Sequence, residues 1–165
     1  MKEPQDFNIR YTSQEDEKYL LEWIKQKENN KWFPMSLEHE IAISCKNWIG
    51  FSRFNCSLTA TIKDKPVGLV TLFLMPYRKV SHLSMFYIIV DQKMIKQGVG
   101  TSLVKNIINL SKNYFRLESI YVEVFENSPV IKLLEKFKFK KFATQPAFVK
   151  ENDNYLSRIL MELVL

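Results

Sequence analysis

Apolar residues fall into two rhythms along the chain, and the switches between them predict the order of its elements. Phe7 to Tyr11 reads as a short strand. Ser13, with Asp16 three residues on, opens a helix in which Tyr19, Leu20, Trp23 and Ile24 recur at helical spacing. The stretch KENNKWFPM breaks that spacing and Pro34 stops it; Ser36 then starts a second helix with Leu37, Ile41, Cys45 and Trp48 on one side. Ser57 to Ile62 alternates as a strand, KDKP turns, and Val67 to Met75 returns, predicting a hairpin. Leu83 to Val90 extends this meander after a turn at Pro76 to Lys79.

A polar loop follows, then an amphipathic helix from about Gly100 to Lys112 that buries Leu103, Val104, Ile107, Ile108 and Leu110. Ile120 to Phe125 is a β-branched, aromatic strand. In ENSP, Asn127 or Ser128 caps a further helix, with Pro129 early in it and its end near Phe137. Strands near Phe139 to Thr144 and Tyr155 to Leu163 close the chain. The order β-α-α-β-β-β-α-β-α-β-β predicts an α/β fold: a mixed, mostly antiparallel central sheet with flanking helices. At 165 residues the chain fits one domain, 1–165, with a sizeable core.

Composition narrows the chemistry. Lys plus Arg exceed Asp plus Glu by 24 to 18, a net charge of +6. Such a surplus favours an anionic ligand, a nucleic acid or an acidic protein surface, and it also serves solubility. Cys45 and Cys56 form no Cys-x-x-Cys pair, and with His39 and His82 as the only histidines no zinc set is expected. The polar, acidic start is unlike a signal peptide, and no apolar run approaches ~18 residues, so a cytoplasmic protein away from membranes is expected.

The chemistry concentrates in YIIVDQKMIKQGVGTSLVKNII, Tyr87 to Ile108. Gly98 and Gly100 lie between a strand and a helix, where glycines let the backbone curl and aim amide N–H groups at one phosphate. A plain strand-to-helix turn would use the same pair. The three-glycine dinucleotide pattern and the Gly-Lys-Ser/Thr of a P-loop are both absent.

The stretch VDQKMIKQGVGTSL resembles the pyrophosphate loop of the GCN5-related N-acetyltransferase (GNAT) family, Gln/Arg-x-x-Gly-x-Gly/Ala after a strand ending in valine. VFENSPVIKLLEKFKFKKF, Val124 to Phe142, is similar to that family's Asn-x-x-Ala-x-x-Leu-Tyr-Glu-Lys-x-Gly-Phe segment, with Asn127, Leu133, Glu135, Lys136 and Phe139 in place. YLSRILMELVL resembles its last strand. The resemblance implies transfer of an acetyl group from acetyl-CoA, with no metal, to a primary amine of a small molecule or protein, by direct attack in a ternary complex. It implies that backbone groups of Ile88 and Val90 hold the pantetheine and thioester. It implies that the amides of Ile95, Lys96, Gln97, Gly98, Val99, Gly100 and Thr101 hold the pyrophosphate, and that Asn127 meets the pantetheine arm. Asn127 is equally suited to cap a helix.

Four positions depart from the family pattern. Ile95 replaces the loop's Gln/Arg, Lys96 a common glycine, and Lys138 the glycine before Phe139, which suggests a different helix ending. Leu134 stands where many members carry a tyrosine that protonates the CoA sulfur. Either the thiolate takes its proton from water or another group, or the chain is a non-catalytic acyl-CoA-binding module. Glu123 resembles the base of the ribosomal-protein alanine acetyltransferases, though a solvent-facing glutamate fits the same pattern. His82 and Tyr87 on the preceding strand are further proton carriers. The dense apolar turn of Trp32, Phe33 and Met35 suits core packing, a lid over the acceptor, or a homodimer contact. A strongly cationic acceptor would want carboxylates there, with Glu28, Glu38 and Glu40 as candidates, and the +6 charge leaves an aminoacyl-tRNA acceptor open.

Overall fold

In the computed structural model, which describes residues 4–165, the chain runs β1 (Phe7–Tyr11), α1 (Glu17–Lys25), α2 (Lys27–Asn30), α3 (Glu38–Gly50), β2 (Ser57–Ile62) and β3 (Lys65–Leu74). It continues through β4 (Leu83–Val90), α4 (Val99–Asn109), β5 (Ser119–Phe125), α5 (Val130–Lys136), β6 (Lys140–Glu151) and β7 (Asn154–Val164). The strands form one sheet in the order β1-β2-β3-β4-β5-β7-β6. Each neighbouring pair is antiparallel except β4 with β5, which is parallel. The mixed, mostly antiparallel sheet with flanking helices is as expected from the sequence.

Two apolar layers cover the sheet. On one face Leu103, Val104 and Ile107 of α4 and Leu134 of α5 meet Val70, Leu72, Phe86 and Ile120. On the other, Leu20, Trp23 and Ile24 of α1 and Ile41, Cys45 and Trp48 of α3 meet Leu69 and Ile89. With both faces covered, β3 reads as a continuous apolar run rather than an alternation. The β2–β3 turn places Lys63 and Asp64 at φ 48 and 62, the paired left-handed geometry of a tight hairpin. At the β1 end, Asp16 is buried beneath a two-point ion pair with Arg10 and also accepts from Ser13 N–H and Thr59 Oγ1.

Several details differ from expectation. KENNKWFPM does not merely interrupt: it folds Lys27–Asn30 into the single turn α2. Leu37 precedes the first turn of α3 and is exposed, while Glu40 reaches back to accept the N–H groups of Ser36 and Leu37. Beyond Asn109, α4 continues as a π-helical turn, Leu110–Tyr114. β6 runs to Glu151 through two register shifts, absorbing what reads in sequence as a loop. α5 has no side-chain cap: the turn before it is closed by Ile131 N–H to Ser128 O. Its far end keeps a glycine-type geometry without glycine. Lys138 sits at φ 67, Phe139 N–H reaches Leu134 O at 3.1 Å and Lys138 N–H reaches Glu135 O at 2.9 Å.

Gly68 sets the distance between α4 and the sheet. A Cβ there would lie 3.0 Å from Ile89 O and 3.1–3.2 Å from Leu103 and Val99 side chains, so only glycine lets the start of α4 settle this closely over β3 and β4.

Candidate active site

The parallel pairing of β4 and β5 is brief, from Leu83↔Ser119 to Met85↔Tyr121. Beyond it β4 stays with β3 as far as Val90↔Gly68, while β5 stays with β7 as far as Phe125↔Arg158. The sheet therefore parts between two strands that are each held firmly on their other side. A cleft of about 430 Å³ occupies the parting. Asp91 N–H bonds Val67 O. The alternation of an antiparallel ladder then turns the peptide groups of Ile89 and Tyr87 toward β3, and those of Ile88 and Val90 toward the gap. Of these, Val90 O already accepts Asn29 Nδ2 at 3.1 Å.

One end of the cleft is the loop before α4. Asp91 Oδ1 accepts Lys93 N–H, closing a 3₁₀ turn at Gln92–Met94. Lys96 and Gly98 then both adopt left-handed backbone, φ 65 and 89, which curls the chain into the helix. Lysine thus holds the conformation in which the family pattern commonly has glycine. Ser102 N–H is the first amide of α4 to bond back, to Gly98 O. The first-turn amides of Val99, Gly100 and Thr101 have no intrahelical acceptor and lie at the positive end of the helix dipole. Gly100 lines the cleft, and a Cβ on it would meet Leu133 at 3.3 Å. Lys96, with Lys132 and Lys136 one turn apart on α5, brings three ammonium groups to the same wall. Backbone amides, a helix terminus and lysines together suit a phosphorylated ligand.

At the other end, Glu123 of β5 faces the cleft. Its Oε1 accepts Arg158 Nη1 of β7 at 2.9 Å, and its Oε2 accepts the Tyr87 hydroxyl of β4 at 3.3 Å. Arg158 is itself placed by Gln145 Oε1, 2.6 Å from Nη2, and by the Phe148 ring, 4.1 Å below the guanidinium. Burial pushes the Tyr87 phenol well above its ordinary value; the Glu123 charge and hydrogen bond add to this and Arg158 opposes it. Trp32 and Phe33 form the roof, and Phe33 is braced edge-on against Trp48 at 5.8 Å. The apolar turn therefore serves both the core, through Met35, and the cleft.

The expected site residues divide accordingly. Ile88, Val90, Ile95, Lys96, Gly98, Gly100, Thr101 and Glu123 line the cleft. Val99 is fully buried beneath it, and Gln97 turns back so that its Nε2 donates to Lys93 O at 3.0 Å. Asn127 is exposed at φ 66 and lies off the lining, where Ser128 and Pro129 stand instead. Leu134 is fully buried in the core and also lies off the lining. His82 is exposed at the distant end of β4. Glu28 pairs with Lys31, Glu38 with Lys25, and Glu40 holds the start of α3, so these carboxylates have local partners. Sequence reasoning matched Lys136 to the motif without giving it a role, and it missed Lys132 on the same face of α5 as well as Asn29 and Arg158.

Among the described residues no group of three or more His, Cys, Asp or Glu could hold a metal ion, and no helix is long and apolar enough to cross a membrane. Burial pushes both cysteine thiols up to about 12, which keeps them inert.

A parted sheet whose gap leads to a helix N-terminus suits an extended ligand with a phosphate-bearing end. The acetyltransferase (GNAT) family profile matches residues 18–139. The L-amino acid N-acetyltransferase AaaT of Escherichia coli (strain K12) is 30% identical over 108 residues, 65% of this chain and 67% of that protein. The fold is shared with yncA from Salmonella typhimurium, solved with its cofactor acetyl-CoA, at a TM-score of 0.74 and 13% identity over 98% of this chain and 95% of that one. It is shared also with a ribosomal-protein-alanine N-acetyltransferase from Brucella melitensis, at a TM-score of 0.76 and 18% identity over 96% and 99%. The chain belongs to the GNAT family of acetyltransferases. It is an acetyl-CoA-dependent N-acetyltransferase.

Proposed function

We propose that this enzyme acetylates the primary amine of a small, amino-acid-sized molecule by direct attack in a ternary complex, with Glu123 as the base. The observation that carries this reading is the position of Glu123: at the parting of β4 and β5, inside the cleft, with both carboxylate oxygens held by Arg158 and Tyr87. Acetyl-CoA supplies the acetyl thioester. The amides of the loop from Ile95 to Thr101 and the ammonium groups of Lys96, Lys132 and Lys136 receive its phosphates, and the peptide groups of Ile88 and Val90 orient the arm between the strands. Trp32 and Phe33 exclude water above the reacting end. Glu123 draws a proton from the acceptor amine, directly or through water, as the nitrogen attacks. The similarity to an L-amino acid N-acetyltransferase supports a small acceptor over a protein amine or an aminoacyl-tRNA.

Free-thiol release from acetyl-CoA, measured with a panel of amino acids, small amines, peptides and aminoacyl-tRNA, tests the acceptor class. Turnover on tRNA or peptide alone would reject it. Glu123→Gln is expected to lower kcat by about 10²–10⁴-fold and to remove the acidic limb of the pH–rate profile. An unchanged profile would remove Glu123 as the base.

A further inference from the structure

Leu134 leaves the departing sulfur without the proton donor that the resemblance would place on α5, and no other residue of α5 that lines the cleft is a phenol, thiol or imidazole. The cleft does contain one phenol, Tyr87, and its position is unusually fixed. The ring is wedged against Trp48 at 5.6 Å and Phe73 at 5.5 Å, and its hydroxyl emerges at the parting of β4 and β5, 3.3 Å from Glu123 Oε2. Tyr87 also precedes Ile88, whose peptide groups face the gap. Tyr87 and the proposed base therefore line the same cleft, with the hydroxyl in contact with the carboxylate.

We propose that Tyr87 is a catalytic proton relay, carrying to the thioester sulfur the proton that Glu123 removes from the amine; this rests on the assignment of Glu123 as base. Before reaction the phenol donates to the Glu123 carboxylate, so its proton is engaged there. When Glu123 takes the amine proton it becomes a donor itself, and the hydrogen bond reverses. The phenolic proton is then free to turn toward the sulfur. As the carbon–nitrogen bond forms and the carbon–sulfur bond breaks, the sulfur takes the Tyr87 proton and Tyr87 takes the one from Glu123. One proton leaves nitrogen, one arrives at sulfur, and Tyr87 ends as it began. No further reactant is needed, and Glu123 returns to its ionised pairing with Arg158.

The electrostatics fit a relay better than a simple acid. The charged or titratable groups acting on the phenol are Glu123 and Tyr121 from β5 and Arg158 from β7; α3 presents only the apolar Trp48 face. Burial and the Glu123 charge hold the phenol protonated while Glu123 is ionised, so the proton is kept until the base has acted. Neutralising Glu123 removes its share of that hold and leaves only the part due to burial. The same bond thus delays protonation of the sulfur until the amine has been deprotonated.

Three measurements test the relay. First, Tyr87→Phe is expected to lower kcat by about 10²–10⁴-fold, with the KM for acetyl-CoA within threefold of the parent. Second, at equilibrium, the parent should bind CoA about fivefold more tightly than desulfo-CoA through the hydroxyl–sulfur contact, and Tyr87→Phe should erase that preference. Third, 3-fluorotyrosine at position 87, which keeps the packing and the hydroxyl while making the phenol a stronger acid, should hold kcat within about tenfold of the parent where Tyr87→Phe does not. An unchanged kcat in Tyr87→Phe, an unchanged preference for CoA over desulfo-CoA, or a 3-fluorotyrosine enzyme as slow as Tyr87→Phe would each overturn the relay. A Tyr87→Phe profile that loses its acidic limb as Glu123→Gln does would also overturn it, because the tyrosine would then act only by placing the glutamate. The desulfo-CoA comparison reports on Tyr87 whether or not Glu123 is the base, so the two assignments fail separately.

Discussion

The Asn29 carboxamide donates to the Val90 carbonyl at 3.1 Å, tying the short helix α2 to the last residue of β4. Asn29 is buried, and the same nitrogen donates to Trp23 O at 3.0 Å. Gln92 Nε2 returns to Asn29 Oδ1, and Gln26 Nε2 donates to Asp91 Oδ1 at 3.0 Å, so the turn carrying Trp32 and Phe33 is fastened to the start of the loop before α4. Asn29→Ala strips Val90 O of its side-chain partner and leaves Trp23 O with only the Gln26 N–H, and we expect a loss of about 2 kcal/mol in urea unfolding. Asn29→Asp, which puts a carboxylate against two carbonyl oxygens, should cost more. A loss below about 0.5 kcal/mol in both would show that water replaces the carboxamide.

Gly98→Asp should abolish CoA binding while leaving a folded protein. The new carboxylate would face the phosphates, on backbone at φ 89 that aspartate tolerates better than most residues. Titration calorimetry with CoA checks this; undiminished affinity in a folded variant would remove the loop from the phosphate site.

Lys132→Ala and Lys136→Ala should each weaken CoA binding, on the order of threefold to tenfold at low salt. Both lysines are exposed, so the difference should shrink as ionic strength rises. Titrations at two salt concentrations decide it.

Lys138→Gly should stabilise the fold by about 0.5–1 kcal/mol, because lysine pays a steric cost at φ 67 that glycine does not. The Leu134 and Glu135 carbonyls keep their partners in either case. Paired thermal and urea melts give the sign directly, and a less stable glycine variant would contradict this account.

Asp16 makes an acid-sensitive contribution. Burial alone would raise its pKa, but hydrogen bonds from Arg10, Ser13 N–H and Thr59 outweigh burial and hold the carboxyl below its usual range. A folded pKa below the unfolded one means that this stability is fully present above the unfolded value of about 3.9. It is lost as the pH falls through the folded value. Urea midpoints for the parent protein should therefore drop on acidification in this window, and Asp16→Asn should flatten that part of the curve.

What the sequence made legible was mostly local. Gly98 and Gly100 between an apolar strand and an amphipathic stretch exposed the loop, since strand, turn and helix start are contiguous in the chain. Element order followed from the two hydrophobic periods, and it failed where tertiary pairing overrode them, as in the long bulged β6. The convergence of Tyr87, Glu123 and Arg158 was not legible as a unit, because three strands distant in sequence must first settle their register. Asn127 reads as a site residue by motif, yet the left-handed turn it occupies puts Ser128 and Pro129 at the cleft instead. Lys96 and Lys138 show the same limit from the other side. Replacing a glycine did not change the backbone shape there; lysine adopted it.

Among the described residues, the three residue pairs that join β4 to β5 are the only strand pairing between the β1–β4 half of the sheet and the β5–β7 half. Past that seam the strands part, and in the function proposed above the arm of CoA, with its own amide groups, takes the place of a missing strand. Cosubstrate binding then resembles the last step of assembling a sheet: slower amide exchange at Ile88 and Val90 should spread into β5, and the halves should begin to unfold as one.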